Sequence, residues 1–333
     1  MPQAVVVREF GGPENLVVSD VPELVPAPGE VVVDLRAAAV NRRDLRIVAG
    51  GWPGVTAPVV PGSDGAGVVR ALGTGVSGLA EGDEVVILPA LHWGNDPRIG
   101  GPRFSILGGP DDGTFADQVR VPAENVYAKP ARLDWNEAAA LPLAGLTAWR
   151  ALFARGGLTS GQSVLVLGAG AGTSTFAVQF AHAAGARVFV TSSSADKIAT
   201  AVEHGAEAGF DYTQDGWEDE VVARTGGGAD LVIDSAGTWG PSIACVRRGG
   251  RVVVFGSTVG TSAELDVRAF YFKQVDLVGT MMGSPLDFRD LLRACERQSW
   301  TPVVDSARPL AQAGDALRRM AAGEQHGKLV LTP

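Results

Sequence analysis

Cysteine is almost missing from this chain. Cys245 and Cys295 are the only two in 333 residues, which excludes a disulfide framework and a four-cysteine zinc site. No block of lysine and arginine relieves the formal charge of −9, set by 28 basic against 37 acidic side chains. A surface of that sign repels phosphate backbones, so nucleic acid is a poor partner. Residues Met1–Phe10 carry Arg8 and Glu9 and lack the apolar centre of a secretion signal, which reads as a cytoplasmic protein. One stretch, Gly156–Ala186, has no Asp, Glu, Lys or Arg and is long enough to cross a bilayer as a single helix. Seven glycines and several serines and threonines interrupt it, so it reads as a buried strand and a buried helix, with no membrane span.

Glycine is what the chain has in excess: 44 of 333 residues, without a collagen-like period. That is nearly twice the usual share of about 7%. With 46% hydrophobic residues the chain is long enough for two domains with real cores. The first 125 residues combine Gly and Pro with short β-branched runs at Val31–Val33, Gly67–Val69 and Glu84–Leu88, the pattern of an irregular β region. From Asp134 onward, helix-length segments alternate with short strands at Val164–Leu167, Val188–Val190, Leu231–Ile233, Val252–Phe255 and Val275–Leu277. This rhythm predicts a parallel sheet with helical crossovers, an α/β domain. Thr175–Ala184 sets Phe176, Ala177, Phe180, Ala181 and Ala184 on one helical face. Phe288–Gln298 and Ala311–Ala321 are helical in period, and Lys328–Leu331 reads as a last strand.

Gly168, Gly170 and Gly172 stand between the strand Val164–Leu167 and that amphipathic helix. Glycines in this context permit a tight turn and close approach of a pyrophosphate to the helix N–H groups, which points to a dinucleotide. Thr173 or Ser174 stands where the fingerprint has its last glycine. An acidic residue about 20 residues on normally holds the adenosine ribose. Here the chain reads Thr191-Ser192-Ser193-Ser194, with no carboxylate before Asp196. Ser192, Ser193 and Lys197 suit a 2′-phosphate, which favours NADPH over NADH. The same serines suit the cap of the next helix.

A series of motifs in order resembles the medium-chain dehydrogenase/reductase superfamily, and within it the zinc-free, zeta-crystallin-like branch of quinone oxidoreductases. The motifs are Asn41-x-x-Asp44 with Gly50-Gly51-Trp52-Pro53, Pro61–Val68, Gly82–Val85 and Gly113–Ala116. They continue with Ala138–Pro142, Leu146–Ala148, the glycine turn and Gly327–Leu331. The resemblance implies a Rossmann-type, doubly wound parallel sheet domain at 129–267. It is inserted into a mostly β, GroES-like catalytic domain formed by 1–128 and 268–333, with nicotinamide and substrate in the cleft between. It also implies a homodimer.

By the same resemblance Gly256 and Ser257 pass near the nicotinamide, and Tyr212 and Lys197 lie at the 2′-phosphate. Asp44, Thr147, Thr173 and Lys328 join the cofactor set. Tyr212 as surface packing and Lys328 as a solvated lysine remain alternatives. Zinc-dependent relatives place their ligands where this chain has Asn41, Ser63-Asp64 and the Leu146–Ala148 region. Asn and Ser are poor zinc ligands beside thiolate and imidazole, so no metal is expected. His92, alone in a cysteine-free loop running to Gly113, lacks partners for a zinc site.

Without a Lewis acid the acceptor must be polarised by hydrogen bonds, which suits quinones and α,β-unsaturated carbonyls better than simple alcohols. The substrate side is expected to use Asn41 as amide donor, Trp52 as an apolar wall with an indole N–H, and Ser63. With Trp52 where relatives often carry Tyr, water becomes the proton source. Arg43 and Arg46 suit either an anionic substrate or a solvated helix turn, and Asp44 is mainly structural. The alternatives are a zinc-free alcohol or aldehyde oxidoreductase, and an NADPH-binding protein with little turnover.

Overall fold

The computed structural model describes residues 1–333, which form two compact units: Met1–Ala144 with Gly283–Pro333, and Gly145–Met282. In chain order the first unit supplies β1 (Gln3–Val7), β2 (Leu16–Asp20), β3 (Glu30–Ala39), β4 (Asp64–Leu72), β5 (Glu84–Ile87), β6 (Ala90–Leu91), β7 (Ser105–Ile106), β8 (Gln118–Pro122) and β9 (Val126–Ala128). The second supplies β10 (Ser163–Val166), β11 (Arg187–Ser192), β12 (Ala208–Asp211), β13 (Ala229–Asp234), β14 (Val246–Val254) and β15 (Asp276–Gly279). The chain then returns for β16 (Val304–Pro309) and β17 (Lys328–Thr332). The helices that matter are α1 (Arg42–Val48), α2 (Trp135–Ala140), α3 (Pro142–Trp149), α4 (Gly172–Ala183), α5 (Ala195–Glu203) and α6 (Pro285–Arg297).

In the first unit β3 is the organising strand. It pairs antiparallel with β4, β8 and β17 in a seven-stranded sheet, whose path runs β16-β17-β3-β4-β5-β9 with β8 off it. Val31, Val33, Leu35, Val69, Val85, Ile87, Val119 and Val121 fill one buried cluster. A second cluster joins β1, α1 and the C-terminal tail through Val5, Val7, Ile47, Phe115, Leu317 and Leu331. Both follow from β-branched residues placed on the buried faces of a pleated sheet.

The second unit is a six-stranded, wholly parallel sheet in the order β12-β11-β10-β13-β14-β15. That order reverses between β10 and β13, the arrangement of a doubly wound dinucleotide-binding sheet. The core strands read as continuous apolar runs, and Val164, Leu165 and Val166 are fully buried. The uncharged stretch Gly156–Ala186 is β10 and α4, with Phe176, Ala177, Phe180 and Ala181 buried. No helix is long and apolar enough to cross a membrane.

The strand β12, Ala208–Asp211, is absent from the rhythm read in the sequence, because it has one large apolar residue, Phe210, and lies at a sheet edge. The unit limits also differ from those drawn at 128/129 and 267/268. Helix α2 packs on β3, β4 and β17, which keeps it with the first unit, and β15 pairs with β14, which keeps it with the second.

Candidate functional site

In the second unit the chain leaves β10 through Gly168, at φ +77°, and Gly170, at φ +89°, before Gly172 and Thr173 open α4. A β-carbon at Gly168 would meet no atom within 4 Å, so the turn leaves open space on that side. The N-cap, Ala171, has no side chain to cap the first N–H groups of α4. An open concavity beside uncapped helix donors fits a pyrophosphate. Ser174, in place of the expected glycine, is buried with its hydroxyl 3.4 Å from the Leu167 carbonyl.

At the end of β11 the three serines divide their work. Ser194 caps α5 by accepting from the Lys197 N–H, and the buried Ser192 hydroxyl accepts from the Ser194 N–H at 3.2 Å. Ser193 is exposed and its hydroxyl meets the Tyr212 phenol at 3.2 Å. The Lys197 side chain lies over Gly170, since a β-carbon there would come within 2.7 Å of its Cδ. Gly170 thus meets Lys197, and Ser193 meets Tyr212, whereas Ser192 is buried. Gly256 follows β14, and its absent β-carbon would lie 1.9 Å from the Ser235 carbonyl oxygen. Only glycine permits that crossing of the loops after β13 and β14. Asp234 pins the first of these loops, accepting from the Ala236 and Gly237 N–H groups and from the Ser242 hydroxyl. Ser257 lies beside Gly256 and is half-buried, and Thr147 is buried in α3.

In the first unit sheet register assembles a polar cluster. Ala39 pairs with Val330 of β17 and with Asp64 of β4. Extending the β17 register by two residues sets Lys328 opposite Asn41. The Lys328 ammonium donates to Asn41 Oδ1 at 2.7 Å and to Asp64 Oδ2 at 2.9 Å. Asn41 Nδ2 donates to the same Asp64 oxygen at 2.9 Å, and Asp64 Oδ1 accepts from the Leu143 N–H at 2.7 Å. Asp64 is fully buried, and Lys328 is 2% exposed, so the solvated-lysine alternative is excluded. Asp64 is the residue that sequence reasoning passed over. Its acidity within an otherwise glycine-rich apolar strand was the available signal.

Arg43 corrects a second expectation. It is not a solvated helix residue: it is 7% exposed, with Nη1 donating to Ser63 Oγ at 2.6 Å and to the Leu107 carbonyl at 2.8 Å. Nη2 donates to the Gly109 carbonyl at 3.1 Å, and the guanidinium lies 4.8 Å from the centre of the half-buried Trp52 ring. No carboxylate forms an ion pair with it, and its buried Nε has no partner. Burial pulls its pKa down, against the raising effect of Asp44 and Asp64. Arg46 is exposed. Ser63 is wholly buried, its O–H donated to Leu107 O at 2.8 Å, so it supports Arg43 and does not face an acceptor.

Asp44 is structural, as expected: its Oδ2 accepts from the Asn41 N–H at 2.7 Å at the start of α1. Burial pushes its pKa up to about 6, with Arg43, the Asn41 hydrogen bond and Lys328 pulling it down. An acid with a raised folded-state pKa contributes stability that is full below the unfolded value and is lost as pH rises through about 6. Asp44→Asn keeps an acceptor for the Asn41 N–H and removes the charge. Urea melts are expected to show the variant gaining on the parent by on the order of 2 kcal/mol between about pH 4 and pH 7. Parallel pH profiles for the two proteins would refute this assignment.

The oxygens that could face a metal are already held by cations, Asn41 Oδ1 by Lys328 and Ser63 Oγ by Arg43. No group of three or more His, Cys, Asp or Glu comes together anywhere in the chain. A divalent cation among these residues would sit against an ammonium and a guanidinium, so this donor set does not fit one.

Comparison with known proteins places these observations in context. Residues 27–131 match the alcohol dehydrogenase GroES-like domain family, and residues 172–297 match the zinc-binding dehydrogenase family. A zinc-type alcohol dehydrogenase-like protein of Schizosaccharomyces pombe is 38% identical over 315 residues, covering 91% of each chain. The quinone oxidoreductase of Mus musculus is 29% identical over 99% of this chain and 97% of its own. A crystal structure of an NAD-dependent alcohol dehydrogenase superposes with a TM-score of 0.93 at 39% identity, covering 99% of both chains.

Proposed function

The chain belongs to the medium-chain dehydrogenase/reductase superfamily and is an oxidoreductase, and from that premise we propose that it reduces a quinone or an α,β-unsaturated carbonyl with NADPH, without zinc. The observation that carries this reading is the capture of Asn41 and Ser63 by Lys328 and Arg43. With cations where a metal would need free ligands, the acceptor must be one that takes hydride readily under the influence of hydrogen bonds and positive charge alone. Two relatives keep an alternative in play, since their names specify a zinc type and NAD dependence.

NADPH, when bound, supplies the hydride. Gly168, Gly170, Gly172 and Thr173 take the pyrophosphate at α4, and Ser193, Lys197 and Tyr212 take the 2′-phosphate. Gly256 and Ser257 support the nicotinamide side with Thr147, whereas Asp44 and Lys328, expected in the same set, are buried and hold Asn41 and Asp64 instead. Asn41 and Lys328 hold Asp64 and do not themselves donate to the acceptor. Trp52 forms the acceptor wall, Arg43 behind it supplies positive charge as the oxyanion develops, and water returns the proton.

The decisive measurement is NADPH oxidation against a panel of quinones, enones and aldehydes. Quinones and enones are expected to be reduced, and bound NADPH that no acceptor oxidises would defeat the reading. Near-stoichiometric zinc in the purified protein would overturn the metal-free assignment. Lys197→Ala is expected to weaken NADPH about tenfold and leave NADH unchanged, as loss of one partly exposed charge-assisted contact should. Equal losses for both nucleotides would remove the phosphate site from Ser193, Lys197 and Tyr212.

A further inference from the structure

The strand order of the second unit decides which loops meet which half of a bound dinucleotide. In the order β12-β11-β10-β13-β14-β15, Ser193 and Tyr212 follow β11 and β12, and the glycine turn follows β10. With the 2′-phosphate on the first pair and the pyrophosphate on the turn, the nicotinamide half extends over the carboxyl ends of β13 and β14, a placement that rests on the NADPH reading proposed for this chain. Two strand spacings, about 10 Å, separate β10 from β14.

Two loops meet at that end. The first, Ser235–Gly237, leaves β13 beside the glycine turn, with the Ser235 hydroxyl 3.5 Å from the Leu167 carbonyl. The second is a strap that leaves β14 at Gly256 and packs on the first. From Thr258 to Asp266 every residue except Leu265 is exposed, so the strap has no core of its own to set its position. It is tied to the β13 loop instead: Thr258 Oγ1 donates to the Ser235 carbonyl at 3.3 Å, and the Val259 N–H donates to the Ala236 carbonyl at 3.1 Å. Glycines interlock the two loops. A β-carbon on Gly256 would lie 1.9 Å from Ser235 O, and one on Gly237 would lie 3.3 Å from Gly256 O and 3.6 Å from Gly260 O.

One side chain fixes the loop on which the strap rests. Asp234 is fully buried at the end of β13. Its Oδ1 accepts from the Ala236 and Gly237 N–H groups, both at 2.8 Å, and its Oδ2 accepts from the Ser242 hydroxyl at 3.0 Å, on the helix Trp239–Cys245. Two consecutive N–H groups on one oxygen close the loop into a tight turn, which Gly237 completes at φ +83°. Without that oxygen both N–H groups lose their partner, and the Ser235 and Ala236 carbonyls that carry the strap are no longer held in place.

We infer that Asp234 is a positioning residue for the nicotinamide half of the cofactor, holding the strap Gly256–Gly260 through Ser235–Gly237 where the ring packs. It touches neither cofactor nor acceptor. Its loss is therefore felt at one end of the dinucleotide and not at the other.

The test compares NADPH with adenosine 2′,5′-bisphosphate, which carries the adenosine end and its 2′-phosphate but no nicotinamide, by isothermal titration of the full-length protein. Asp234→Ala is expected to weaken NADPH about tenfold, as loss of a buried acceptor for two N–H groups should, and to leave the bisphosphate within about twofold of the parent. At saturating NADPH, with an acceptor that the parent reduces, kcat should fall about 100-fold through misplacement of the ring, with little change in the acceptor KM. Asp234→Asn keeps an oxygen for both N–H groups and is expected to bring both readouts back close to the parent. Gly237→Ala presses its methyl on the strap without altering Asp234, so it should show the same split, and it decides the matter if Asp234→Ala does not fold. Equal weakening of the two nucleotides, NADPH affinity and kcat unchanged from the parent, or an Asp234→Asn protein as impaired as Asp234→Ala would each overturn the inference. A parent that binds no NADPH defeats the cofactor reading itself, whereas a parent that binds it while the variants show no split defeats this inference alone.

Discussion

Replacing Lys328 by methionine is expected to lower the unfolding free energy by about 3–5 kcal/mol, the largest stability effect foreseen for this chain. Lys328 and Asp64 are 3% and 0% exposed at their side chains and 2.9 Å apart. Asp64 also receives Asn41 and the Leu143 N–H, so removing the ammonium leaves a buried carboxylate with neutral donors only. The cost is that of an uncompensated charge, which exceeds the net value of an intact buried pair. One consequence separates this from simple loss of packing. Asp64→Asn added to Lys328→Met should recover part of the loss, because no charge is left stranded. Urea melts of the parent, both single variants and the double variant form the cycle. A Lys328→Met protein within about 1 kcal/mol of the parent would show that Asn41 and Leu143 alone satisfy Asp64.

Gly168→Ala is expected to do the opposite, leaving the fold nearly intact while weakening NADPH about 100-fold, on the order of 3 kcal/mol. The backbone at φ +77° opposes a side chain, at a cost of about 1–2 kcal/mol in stability. The new methyl meets no protein atom within 4 Å, so nothing in the fold has to move. It occupies instead the open side of the turn, where a pyrophosphate would approach the first N–H groups of α4. Each displaced charge-assisted hydrogen bond is worth about 1.5–3 kcal/mol, so losing one or two accounts for the effect. Gly256→Ala makes a control of different kind, because its β-carbon would lie 1.9 Å from Ser235 O and must disturb the loops themselves. Fluorescence titration with NADPH beside thermal melts distinguishes the two. Unchanged affinity in Gly168→Ala would move the cofactor away from this turn.

The strands and the glycine turn of the cofactor half were largely legible from sequence. Ser193 and Lys197 follow β11, which the strand rhythm showed, whereas Tyr212 follows β12, which that rhythm missed. Ser192 is buried because β11 is an interior strand of a parallel sheet, buried along Val188–Ser192 without alternation, which a cap-or-ligand reading does not resolve. The substrate half was read less well. Asn41 and Ser63 were expected to face an acceptor, but the structure engages both with cations that the sequence left as solvated alternatives.

The sequence alone determined the order of the motifs, the parallel α/β unit, the glycine turn before α4 and the lack of a carboxylate after β11. These are local, written in spacings of a few residues. Only tertiary structure decided that Lys328 meets Asn41, 287 positions away, and that Arg43 reaches Ser63, Leu107 and Gly109 from a helix that could equally have turned it to solvent. The physical reason is register. Whether a charged side chain is solvated or buried depends on which residue of a distant strand lies opposite, and pairing of β3 with β4 and β17 sets that at a stroke for Asn41, Asp64 and Lys328.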